Sequence, residues 1–188
     1  MAKAFLFDLD GVLVDTYEVW FFLLNDIARR HGYPPVTREV YRTSWGQGIE
    51  VDVQLFYPRH TIPQIRDEYA RYYGDHLHHL RVMDGAAEAL RALSLPKAVI
   101  TNSPTNLATR ALSLAKLEGH FHTVVGCDQV ANSKPAPDVV YEACKRLGVK
   151  PAEALVIGDS RFDEGAARAA GAEFVWFRSF AELRLTGV

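Results

Sequence analysis

The sequence predicts an α/β fold: a five-stranded parallel sheet with helices on both faces, plus an inserted α-helical segment. Three observations predict it. Short apolar segments of strand length recur along the chain. From residue 85 onward they alternate regularly with helical patterns, the signature of repeated strand–helix–strand units. Between the first two strands, residues 16 to about 82 hold helical runs and no convincing strand, far more chain than a crossover helix needs.

The strands are expected at Ala4–Leu9, Lys97–Thr101, Thr123–Gly126, Ala154–Gly158 and Glu173–Phe177. Their near-continuous apolar character is that of strands buried on both faces. The inserted segment reads as three helices, Tyr17–His31, Arg38–Trp45 and Pro63–Leu80, with Asp15 or Thr16 placed to cap the first. After it, Gly85–Leu93 carries Ala86, Ala89, Leu90 and Leu93 at helical spacing. Asn106–Leu117 repeats the pattern with Leu107, Ala111, Leu112 and Leu114. Pro137–Leu147 does so with Val140, Ala143 and Leu147 and is closed by Gly148, and the alanine-rich Asp163–Ala170 is closed by Gly171. The division expected is a core of residues 1–15 and 83–188 and a helical cap of residues 16–82.

Composition narrows the function. The 188 residues carry a formal net charge of −2, with no basic or acidic block, so non-specific nucleic-acid binding has no electrostatic support. No apolar stretch reaches the roughly 18 residues needed to cross a bilayer. The N-terminus enters a strand almost at once, without a charged region and cleavage site, and the expectation is a cytoplasmic protein. Two cysteines, Cys127 and Cys144, make no disulfide framework and read as small apolar residues.

The first strand ends in Asp8-Leu9-Asp10-Gly11. A carboxylate there is costly unless a metal, a hydrogen bond or a reaction uses it. Ligands of open parallel sheets bind outside the carboxyl ends of the strands. Those ends bring Asp8 and Asp10, Thr101-Asn102-Ser103, and Gly158-Asp159-Ser160 followed by Asp163; Ser133-Lys134-Pro135 lies downstream of the third strand. Acids, hydroxyls and one lysine converging on one edge suit a divalent cation and a phosphoryl group. Asp163 fits two roles equally, capping or supporting its neighbours and ligating metal; Asp15 and Asp138 read as capping or loop-fixing acids. Thr101 taken alone reads as a helix cap. His76, His78 and His79 read as a solvated helix end, and Trp20, Phe21 and Phe22 as packing within the inserted segment.

With these motifs in place, the chain resembles the haloacid dehalogenase-like hydrolases with a helical cap, close to phosphoglycolate phosphatases and β-phosphoglucomutase relatives. The family's Asp-x-Asp-Gly-x-Leu-x-Asp-Ser/Thr matches residues 8–16, its strand-ending Thr or Ser matches Thr101, its Lys-Pro-x-Pro-Asp matches residues 134–138, and its Gly-Asp-Ser-x-x-Asp matches residues 158–163. The resemblance implies a Rossmann-like core and a role for each residue. Asp8 would be the nucleophile and Asp10 the general acid and base. Mg²⁺ would be held by Asp8, the Asp10 carbonyl and Asp159, with Asp163 joining through water or orienting the others. Thr101 and the Asn102 amide would bind phosphoryl oxygens, and Lys134 would offset the negative charge.

Asp10 argues for phosphoryl chemistry over dehalogenation, which dispenses with the second acid. The cap contains no lysine, which excludes an imine route. A small phosphomonoester, phosphoglycolate- or sugar-phosphate-like, is the expected substrate. The alternatives are a phosphomutase, whose Arg–Ser cap signature is not convincingly present in Thr37–Gly48, and a non-catalytic binding protein on the same scaffold. Arg42, beside Trp45-Gly46-Gln47-Gly48, is the candidate for substrate specificity. A monomer and a homodimer through the cap are equally compatible with the sequence.

Overall fold

The computed structural model describes residues 2–183. Five parallel strands form the sheet: β1 Ala4–Phe7, β4 Lys97–Ile100, β5 Thr123–Val125, β6 Ala154–Gly158 and β7 Glu173–Trp176, in the spatial order β5-β4-β1-β6-β7. The register pairs Phe7 with Val99 on one side and with Ile157 on the other, so β1 is central. Alternate side chains of the strands feed two apolar cores. Phe5, Phe7 and Val99 face a cluster closed by α5 (Ala86–Ala92) and α6 (Thr105–Leu114); Leu6, Ala98, Ile100 and Val156 face one closed by α7 (Asp138–Leu147) and α8 (Arg161–Ala170). Each fully buried aliphatic or phenyl side chain here contributes about 1.5–3 kcal/mol.

All five expected strands are present, several one or two residues shorter. β1 ends at Phe7 because the chain then curls around the Leu9 carbonyl, which accepts the amides of Leu13 and Val14 at 2.9 and 3.1 Å. Helix α6 stops at Leu114, not Leu117, because Lys116 takes a left-handed conformation and the Leu117 amide turns back to the Leu112 carbonyl.

Four α-helices lie between β1 and α5: α1 Tyr17–Arg30, α2 Arg38–Ser44, α3 Ile49–Phe56 and α4 Ile62–His76. They share a cluster in which α1 (Val19, Leu23, Leu24, Ile27) meets α4 (Ile65, Tyr69, Tyr73). Helix α3 is absent from the sequence reading: Ile49-Glu50-Val51-Asp52-Val53 alternates apolar and acidic residues, so its period is ambiguous. A second difference is a short antiparallel ribbon, β2 Val14–Asp15 against β3 Arg81–Val82, where the chain leaves the sheet and returns; β3 falls in the stretch expected to hold no strand. Two-residue strands have too few positions to show a period. At the start of α1 the Asp15 carboxylate accepts the Tyr17 amide at 3.1 Å, whereas Thr16 makes no capping bond.

Candidate active site

The carboxyl ends of β1, β4 and β6 deliver Asp8, Asp10, Thr101 and Asp159 to one edge of the sheet, beneath the inserted helices. Asp10 and Gly11 sit in the turn around the Leu9 carbonyl. Gly11 has φ +88°, and a Cβ on it would stand 2.1 Å from Asp159 Oδ2, so the close approach of the two loops requires glycine.

Lys134 ties the site together. Its ammonium donates to Asp8 Oδ1 at 2.7 Å, to Asp163 Oδ1 at 2.6 Å and to the Ile100 carbonyl at 3.3 Å, and all three side chains are buried. Burial opposes the charge on Lys134, but Asp163 and Asp8 outweigh it and hold the ammonium above its ordinary value. Burial, reinforced by the charge of Asp163, pushes Asp8 well above the usual carboxylate range, against the pull of Lys134. Asp159 faces outward from the sheet edge, yet partial enclosure and then the charge of Asp163 raise it to about 6. One oxygen from each of Asp8, Asp159 and Asp163 lies within 4.8 Å of the others. Hard oxygen donors at this spacing, short of positive charge, fit a divalent cation.

Asp163 is both a cap and a site residue. Its second oxygen accepts the Ser160 amide at 3.1 Å and the Ser160 hydroxyl at 2.5 Å, while Ser160 caps α8. With Lys134 on the first oxygen, the carboxylate is fixed from both sides.

Asp10 is held by three hydroxyls. Thr16 donates to Oδ1, and Thr101 and Ser103 donate to Oδ2 at 3.2 and 3.0 Å. In the sequence Ser103 belongs to a polar cluster and Thr16 to a capping position, and neither position by itself points to Asp10. The available signals are the place of Thr16 at the end of the matched residues 8–16 and that of Ser103 two residues after Thr101. Asn102 lines the cavity, and its side chain serves the loop: its oxygen accepts the Lys134 amide at 2.8 Å, and its nitrogen donates to the Lys134 and Gly46 carbonyls at 3.1 and 3.0 Å. Asn102 thus locks Lys134 in place and joins β4 to the loop after α2.

Above these groups lies a cavity of about 180 Å³. Its other wall comes from the inserted helices and includes Trp20, Leu24, Tyr41, Trp45, Ile49, Asp52 and Tyr69. Trp20 packs against Tyr69 and Tyr73 as expected, and it also lines this cavity. Arg42 does not. It lies on the exposed face of α2, because its neighbour Tyr41 turns into the cavity and a helix rotates about 100° per residue. Gly46 and Gln47 do line the cavity. The three histidines stay at the end of α4, where His79 stacks on Phe22 and lies at a tilt against His78. Cys127 and Cys144 are buried thiols, pushed up to about 12 and about 11 by burial. Asp138 fixes its loop, accepting the Asn132 amide at 3.2 Å.

Residues 5–177 match the model of the haloacid dehalogenase-like hydrolase family. A phosphoglycolate phosphatase of Chromobacterium violaceum is 35% identical, over 90% of this chain and 82% of its own. An N-acetylmuramic acid 6-phosphate phosphatase of Pseudomonas aeruginosa is 32% identical, over 90% of this chain and 78% of its own. The crystal structure of β-phosphoglucomutase from Clostridium difficile shares the fold, with a TM-score of 0.85 over 98% of this chain and 94% of that one, at 19% identity. The chain belongs to the haloacid dehalogenase-like hydrolases, as a phosphatase alongside the phosphoglycolate phosphatases.

Proposed function

We propose that this protein is a Mg²⁺-dependent phosphatase that hydrolyses a small phosphomonoester through an aspartyl-phosphate on Asp8. The observation that carries the reading is the pairing of Asp8, fixed by Lys134, with Asp10, fixed by three hydroxyls, at the end of one strand. Two acids with separate supports suit two roles.

In the first half-reaction an Asp8 oxygen bonds to phosphorus as the ester P–O bond breaks. Asp10 passes a proton to the departing alcohol. In the second half, Asp10 takes a proton from water, the water oxygen bonds to phosphorus, and the acyl-phosphate P–O bond breaks to return the Asp8 carboxylate. Lys134, the Thr101 hydroxyl and the Asn102 backbone amide supply positive charge and hydrogen bonds for the phosphoryl oxygens. Asp8, Asp159 and the Asp10 carbonyl, with Asp163 supporting them, would hold Mg²⁺, which would supply charge neutralisation for the transferring group. The division of labour follows the chain. Of the core read as residues 1–15 and 83–188, the described part, 2–15 and 83–183, handles phosphate and metal, and residues 16–82 form a cap that meets the rest of the substrate.

The substrate is a small phosphorylated metabolite, in keeping with the cavity volume and with the phosphatase names of the relatives. Among the described residues no helix is long and apolar enough to cross a membrane. The test is phosphate release from p-nitrophenyl phosphate and a panel of metabolite esters, with Mg²⁺ and with chelator. Turnover that needs the divalent ion and is lost in Asp8→Asn supports the reading; turnover indifferent to either overturns it.

A further inference from the structure

The cap wall of the cavity carries one ionisable carboxylate, Asp52, from α3. Its Oδ2 accepts the Tyr69 hydroxyl at 2.8 Å, and its other oxygen accepts no hydrogen bond among the described residues. The same wall carries the aromatic side chains of Trp20, Tyr41, Trp45 and Tyr69 together with Leu24 and Ile49, and the neutral polar Ser44 and Gln47. No arginine or histidine of the described residues lines the cavity, and its single lysine, Lys134, is already bound to Asp8 and Asp163. A leaving group placed against this wall meets aromatic and aliphatic faces, the neutral polar side chains of Ser44 and Gln47 and one carboxylate, and finds no cation among the described residues. Desolvation in the same place pushes the Asp52 carboxyl up to about 7, so once it is ionised an added negative charge beside it meets a like charge and no cation.

We propose that Asp52 sets leaving-group specificity: it accepts a hydrogen bond from a hydroxyl of an uncharged alcohol seated on the aromatic wall, and it disfavours any alcohol that carries a second anion. This rests on the phosphatase reading and narrows it. Carboxylate-bearing esters such as 2-phosphoglycolate are poor substrates, although relatives are named for that compound. Hydroxylated esters with no second charge are good ones. Discrimination of this kind is strong because a mismatched partner leaves a buried polar group unpaired.

The experiment compares β-glycerophosphate with 2-phosphoglycerate, which differ by one hydroxymethyl against one carboxylate, and includes 2-phosphoglycolate. The wild type is expected to favour β-glycerophosphate by about tenfold or more in kcat/KM, mainly through KM. Asp52→Asn removes the charge but keeps the size, and is expected to narrow that ratio by about tenfold. A folding defect scales both substrates together and cancels from the ratio. Tyr69→Phe, which leaves the carboxylate, is expected to keep the wild-type order. A wild type that turns over 2-phosphoglycerate or 2-phosphoglycolate as well as β-glycerophosphate, or a ratio unmoved in Asp52→Asn, overturns the inference and leaves the phosphatase reading standing. No turnover of these esters or of p-nitrophenyl phosphate overturns that reading itself.

Discussion

Replacing Lys134 with methionine tests how much the buried charge cluster depends on one ammonium. Lys134 is 5% exposed, and its partners Asp8 and Asp163 are 6% and 0% exposed. Methionine fills nearly the same space, so the change removes charge and leaves little cavity. What remains is two buried carboxylates with their shared cation gone. Breaking a buried pair from one side costs about 3–5 kcal/mol. In a chain of this size 1 kcal/mol moves the midpoint by about 2–4 °C, so the metal-free variant is expected to melt roughly 6–20 °C below the wild type. The loss depends on pH. Asp8 already sits above its unfolded value, and without Lys134 it rises further. The folded variant then holds a proton that the unfolded chain has released, so its stability falls as pH rises and the deficit is smaller near pH 5 than near pH 8. Urea unfolding of chelated protein at the two pH values measures both effects. A loss below about 1 kcal/mol, or one equal at both pH values, would refute the idea that Lys134 neutralises a shared acidic pair.

Three further outcomes follow from the geometry. Ser103→Ala removes one of the three hydroxyls on Asp10 and is expected to lower kcat about tenfold with little change in KM, and to shift the pH–rate profile; steady-state kinetics across pH checks it. Gly11→Ala forces a Cβ against Asp159 in a left-handed turn, and is expected to weaken Mg²⁺ activation and lower activity, read from metal titrations of turnover. Asp52 is raised to about 7 when folded, so the stability linked to its proton is fully present below about pH 4 and is lost as pH rises through about 7. Asp52→Asn is therefore expected to flatten the decline between pH 5 and pH 8, by at most a few kcal/mol because one side of the group meets solvent in the cavity, as urea unfolding at stepped pH would show.

The sheet was legible because buried parallel strands are written as apolar runs, and their alternation with helices leaves few topologies. Asp8, Asp10, Thr101, Lys134 and Asp159 were found as strand-end or loop residues, and the structure brings them together. What escaped the sequence depends on three-dimensional context. Asp52 sits in Ile49–Phe56, whose mixed period hid the helix that aims it at the cavity. Arg42 was chosen for its charge beside a flexible segment, yet the rotation of α2 presents Tyr41 inward instead. Thr16 matched a capping position, but its hydroxyl turns to Asp10 and Asp15 takes the helix amide. Asn102 reads as a phosphate contact through its amide, and what the sequence does not show is that its side chain is committed to Lys134 and Gly46 across long sequence gaps. Each of these outcomes is decided by which way a side chain points.

The central claim is that Asp8 carries the phosphoryl group. Acid quenching during turnover of p-nitrophenyl phosphate with Mg²⁺, followed by mass analysis of the peptide that contains Asp8, tests it most directly. The account predicts one added phosphoryl group on Asp8, sensitive to hydroxylamine and absent from Asp8→Asn. Turnover with no adduct trapped at Asp8 in the wild type or in Asp10→Asn, where breakdown of the intermediate should slow, or an adduct that persists in Asp8→Asn, would contradict it.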